Sequence, residues 1–172
     1  MTLAVGFCGH VAVTVAVDFR VVDRREIRVR DGQPYHHARV RPLAEARTII
    51  DQANADARER MLDGIGRLRS DLGPRDLAAV GLVLGSFRLP SSLEALLASH
   101  PACHAAEGEM SREAVLAVAE ELGLPVIGVR DRDLEIDADV ESAGKALGPP
   151  WRKEHKRAAA VARLALASQR RP

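Results

Sequence analysis

With 172 residues, 47% of them hydrophobic, the chain can bury roughly 70% of its unfolded surface and is too apolar to remain disordered. Its 25 basic and 24 acidic residues leave a formal charge of +1, so there is no strong nucleic-acid signature of the kind a dedicated polyanion binder carries. The two cysteines, Cys8 and Cys103, have neither CxxC spacing nor a disulfide framework. The apolar run Leu3 to Val17 is interrupted by Gly9-His10 and is shorter than the ~20 residues of a membrane span. These features predict a cytoplasmic chain with reduced thiols and no membrane partner.

Three strands are expected in the first thirty residues. Leu3 to Phe7 is a short apolar run closed by Cys8-Gly9-His10, and Val11 to Val17 alternates valine with Ala or Thr. After a turn at Asp18-Phe19-Arg20, Val21 to Val29 carries the charges of an exposed edge strand. Gly32-Gln33-Pro34 breaks the pattern, and Tyr35-His36-His37 reads as a loop. From Pro42, apolar residues recur every three or four positions between Leu43 and Leu72, the stripe of one long helix ended by Gly73-Pro74.

The run Val80 to Leu84, stopped by Gly85-Ser86, reads as a buried central strand. Ser91 and Glu94 have the spacing of a capping box for a short helix through Leu97. Pro101 then allows a further helical turn closed by Gly108, and Ser111 is placed to cap a separate helix stopped by Gly123. Pro125 to Val129 is a second buried strand. The acidic stretch Asp131 to Asp139 has no clear period. A final helix is expected from Trp151 to about Ala167, with Trp151 anchoring it. No internal repeat or low-complexity linker divides the chain, so residues 1–172 read as a single domain.

The order β-β-β-α-β-α-β-α resembles the ribonuclease H-like superfold, in the layout of its Holliday-junction-resolvase-like branch. The phrases His104-Ala105-Ala106-Glu107-Gly108-Glu109 and Gly148-Pro149-Pro150-Trp151 also resemble segments of bacterial hypothetical proteins. The resemblance implies an α/β fold: a mixed five-stranded sheet in the order 3-2-1-4-5 with helices on both faces. It further implies where a nuclease would hold its two metal ions. Acids are expected at the end of the first strand, at the end of the fourth, and on the last helix. Here those positions hold Phe7 and Cys8, then Gly85, then Glu154 among Arg152, Lys153, Lys156 and Arg157. The leading expectation is therefore a non-nuclease ribonuclease H-like binding or interaction domain. The alternative is a metal-dependent hydrolase, a nuclease or phosphoesterase, with its site relocated to the segment after the fourth strand.

Ligand sites in open α/β sheets lie beyond the carboxyl ends of the strands. The candidate ligand-binding residues are accordingly His10, Ser86, Arg88, Lys153 and Lys156. Each also has a plain reading, as a satisfied loop residue, a surface ion pair or a solvated helix face. For a divalent metal, the candidate cofactor, the candidate ligands are His100, His104, Glu107 and Glu109. His104 and Glu107 would lie one helical turn apart, and two imidazoles with a carboxylate suffice for zinc or ferrous iron. The same side chains could instead only fix a loop through backbone hydrogen bonds. A homo-oligomer is a further candidate for the partner.

Overall fold

The computed structural model describes residues 1–169. Alternating large and small residues build β1 (Thr2–Cys8), and valines alternating with Ala or Thr build β2 (Val11–Ala16), the two joined by a tight turn at Gly9, where φ is +61°. β3 (Val21–Glu26) returns antiparallel to β2 after a second turn, in which Phe19 takes a φ of +59°. A short helix α1 (Pro34–Ala38) leads to the long helix α2 (Leu43–Leu72) and then to β4 (Asp76–Leu84). Helices α3 (Leu93–Ala98) and α4 (His100–Glu121) precede β5 (Val126–Arg130). A single turn of 3-10 helix at Asp131–Asp133, helix α5 (Ala138–Ala143) and helix α6 (Lys153–Ser168) complete the described chain.

The sheet order is β3-β2-β1-β4-β5, with β1 antiparallel to β2 and parallel to β4. This is the mixed sheet expected from the sequence, with Val80 to Leu84 in a central strand. Period-two alternation sends Leu3, Val5 and Phe7 to the core beneath α2 and α4, and Ala4 to the core beneath α6. The helices therefore cover both faces.

The α6 face is packed unusually close. A Cβ placed on Gly6 of β1 would run into the carbonyl oxygen of Ala158 and come within 2.8 Å of the amide nitrogen of Ala162. One on Gly81 of β4 would strike Val161 and lie 2.9 Å from the same nitrogen. The alanines of α6 are the other half of this fit: Ala158, Ala159, Ala160, Ala162 and Ala165 are all buried. Trp151 secures the entry to that helix, its indole donating to the carbonyl of Val140 at 3.0 Å.

Three local expectations are corrected. Tyr35-His36-His37 is the body of α1, whose buried residues Tyr35 and Ala38 share a face. Ser92, not Ser91, caps α3, accepting from the amide of Ala95 at 3.2 Å. Most consequential, residues 100–121 form one helix with no break at Gly108 or Ser111. Ser111 is buried within it, and Gly108 lies against the Arg112 guanidinium, where an ideal Cβ would still be 3.4 Å from the nearest nitrogen. Packing on both sides holds the helix through a residue that costs only about 1 kcal/mol relative to alanine.

Gly6→Ala should lower unfolding free energy by about 3 kcal/mol or more, because the obstacle is backbone and has nowhere to move. Gly66→Ala is its opposite. That position is exposed, helical and has nothing near its Cβ, so the change should stabilise by about 1 kcal/mol. Urea denaturation of the two variants beside the parent measures both.

Candidate functional site

At the carboxyl ends of β1, β4 and β5 lies a cleft of about 320 Å³. It is lined by Cys8 and Gly9, by the segment Val83 to Phe87, by Ala105, Gly108, Glu109 and Arg112 of α4, by Asp131, and by Arg157 of α6. Arg112 donates from Nη1 to Glu109 Oε2 at 2.8 Å and from Nε to the carbonyl of Val83 at 3.3 Å. Its guanidinium lies directly over Gly85, where a Cβ would come within 2.5 Å of Nη2. Arg157 pairs with Asp131 through both Nε and Nη2. Two cations and two carboxylates thus face one another across the cleft, each cation already engaged.

Cys8 closes the floor. Its thiol is pushed up to about 11, chiefly by burial; Arg157 pulls the other way and is outweighed. Cys103 is also raised by burial, and its Sγ lies 3.6 Å from the carbonyl oxygen of Leu96. Neither is an activated nucleophile at neutral pH.

A second polar cluster forms where α1 crosses the beginning of α4. His100 and His104 are one turn apart on α4, their Nε2 atoms 3.1 Å from each other. His36 of α1 stacks against both, with ring centroids 4.7 Å from His100 and 4.3 Å from His104. Each of the three rings offers a nitrogen within 4.8 Å of the others. Close ring contact removes solvent and, with the neighbouring His104, His36 and Arg39, holds the His100 pKa below its ordinary value.

Glu107 lies behind this cluster, only 2% exposed. Its Oε1 accepts from the amide of Tyr35 at 2.9 Å and of His36 at 3.4 Å, and sits 3.5 Å from His36 Nδ1. Arg30 Nε lies 3.5 Å from the other carboxylate oxygen. Gln33, the residue before α1, makes no side-chain cap, so a carboxylate from another helix takes the first-turn amides instead.

The candidate residues read from the sequence are distributed over four places, with Arg88 outside them. His100, His104 and Glu107 come together, joined by His36, which the sequence offers with His37 either as a ligand or, in the favoured reading, as a polar loop side chain. Glu109 faces away, into the cleft with Arg112. Ser86 lines the cleft, whereas Arg88 is exposed outside its lining. His10, half exposed, is 3.7 Å from Glu26 and lines a separate hollow with Arg30 and Ser111. Lys153 and Lys156 border an adjoining hollow that shares Asp131 and Arg157 with the cleft, and Lys156 is paired with Glu141 at 2.5 Å. Among the described residues, no helix is long and apolar enough to cross a membrane.

Comparison with solved structures places this architecture. The chain is similar to Thermus thermophilus RuvC in complex with a Holliday junction substrate, at 18% identity and a TM-score of 0.55, over 94% of this chain and 90% of that one. A second structure of Thermus thermophilus RuvC aligns at 16% identity and a TM-score of 0.50, over 93% and 90% of the two chains. No family model matches the sequence, and no curated protein matches it. The fold is ribonuclease H-like, in the Holliday-junction-resolvase layout.

Two measurements follow from the geometry. Glu107→Ala strands the amides of Tyr35 and His36 and should cost about 2 kcal/mol or more in chemical denaturation, with Glu107→Gln losing less. Alkylation of Cys8 in the native protein should be slow at pH 7.5 and keep accelerating as pH rises towards about 11, because the reactive thiolate is scarce below that value.

Proposed function

We propose that this chain is a non-nuclease ribonuclease H-like binding domain, whose carboxyl-edge cleft receives the phosphate backbone of a nucleic acid. The observation that carries the reading is Arg112 over Gly85. The space from which a fourth-strand carboxylate would reach a metal is filled by a guanidinium, and Arg157 brings a second one from the last helix. Metal ions need several negative ligands at close range, and two cations beside them oppose that. The acids that do line the cleft, Glu109 and Asp131, each neutralise an arginine.

The same arrangement suits a phosphate. Guanidinium groups present paired donors that match its oxygens. Glu109 and Asp131 are more than a third exposed, so an incoming phosphate can approach the carboxylate side of either pair. Branched DNA is the first ligand to try, because a structure with this fold was determined in complex with a Holliday junction substrate. Two phosphate contacts imply a shallow salt dependence, with log K falling against log salt at a slope of about −2.

The experiment is anisotropy of a labelled four-way junction, paired with a cleavage assay in magnesium or manganese. Binding should occur without metal, weaken several-fold in Arg112→Ala/Arg157→Ala, and proceed with no strand cutting. Metal-dependent cutting by the parent that is lost in Glu109→Gln or Asp131→Asn would overturn the non-nuclease reading. Binding that is undetectable, or indifferent to the double substitution, would remove the cleft as the phosphate site.

A further inference from the structure

We infer that His36, His100 and His104 form a zinc site, with Glu107 orienting His36 from behind. Four observations converge on it, and none draws on the cleft. The first is spacing. Two histidines at i and i+4 project from one face of a helix, a pairing that holds zinc in many helical sites. Here Ser99 caps α4 at its start, accepting from the amide of Ala102 at 3.3 Å, so His100 and His104 sit on successive turns of a capped helix end.

The second is distance. Ligand nitrogens about 2 Å from a tetrahedral zinc are roughly 3.4 Å apart. The Nε2 atoms of His100 and His104 are 3.1 Å apart, and the three ring nitrogens lie within 4.8 Å. Small rotations of two exposed rings close the remainder.

The third is the state of His36. Glu107 Oε1 lies 3.5 Å from its Nδ1, so the tautomer that meets this acceptor carries the proton on Nδ1 and leaves the lone pair on Nε2. That Nε2 is buried and has no hydrogen-bond partner among the described residues. A buried acceptor without a donor is costly unless something cationic meets it. A carboxylate behind a ligating imidazole is the usual support of such a ligand.

The fourth is composition. Three neutral imidazoles favour zinc over the hard cations magnesium and calcium, which take oxygen ligands. Three protein ligands also leave one tetrahedral position for solvent or an incoming ligand.

Arg39 opposes the site mildly. Its Nη1 lies 3.1 Å from His100 Nδ1, and since a guanidinium only donates, His100 must carry its proton on Nε2 in that pose. Metal binding moves that proton to Nδ1 and turns Arg39 outward into solvent. Removing Arg39 should therefore leave zinc uptake intact or strengthen it.

Metal-stripped full-length protein is titrated with zinc by calorimetry, and cobalt uptake is read in parallel from its visible absorption. One zinc per chain should bind with half-saturation below about 100 µM, and cobalt should give the intense bands of a tetrahedral site. His100→Ala and His104→Ala, both at exposed positions, should weaken zinc at least tenfold while circular dichroism is unchanged. Arg39→Ala and Arg112→Ala/Arg157→Ala should retain it. Half-saturation above that concentration would overturn the site. So would equal affinity in His104→Ala and parent, or loss of zinc in Arg39→Ala.

Discussion

The approach of α6 to the sheet is the constraint on which the rest of the molecule depends. At Gly6 and Gly81 the helix backbone occupies the volume that side chains would need. Two central strands and one helix thereby become a single rigid layer, with alanines filling what little space is left. Trp151 and the carbonyl of Val140 fix where the helix begins. Arg157, one residue before Ala158, is carried by that layer into the cleft, where it meets Asp131 at the end of β5. The charge pattern of the cleft is thus an outcome of backbone packing on the far side of the sheet.

On the opposite face, Arg112 does comparable work from α4. It donates to the Val83 carbonyl near the end of β4, neutralises Glu109 and fills the space above Gly85. A glycine at the end of a central strand could be read as an empty seat for a metal. Here the missing side chain leaves clearance that the Arg112 guanidinium occupies, and a shared fold does not by itself carry a shared chemistry.

The strands and the span of α2 could be read from the sequence because both follow from local apolar pattern, and the sheet order came from the resemblance of their succession to a known superfold. The apolar runs in residues 3–17 and the long stripe of α2 are repeated signals; the stripe is buried as expected, and β1 and β2 are buried on both faces. The continuity of α4 could not be read that way. Gly108 and Ser111 are local signals for a stop and a restart, and burial of Ala106, Glu107, Met110 and Ser111 on either side of them carries the helix through. The histidine cluster was half visible. His100, His104 and Glu107 share one helical segment, but His36 arrives from 64 residues earlier in the chain, on a helix of only five residues. Such an element is too short to carry a period. Its one available signal was that Tyr35 and Ala38, three apart, could both be apolar on a helix face.

Because α4 is unbroken, it keeps the two polar clusters apart. At 3.6 residues per turn, His100, His104 and Glu107 fall within roughly 60° of one another around the axis, whereas Ala105, Glu109 and Arg112 lie on another sector roughly 120° or more from His100. Cys103, Ala106 and Met110 occupy the remaining side and are buried in the core. One helix therefore presents a histidine face to α1, an ion-paired face to the cleft and an apolar face to the sheet. A break at Gly108 would have freed the second half to rotate, and neither cluster would then constrain the other. With the helix continuous, core packing fixes the phase of both clusters at once. Each can be altered at its own residues without moving the other.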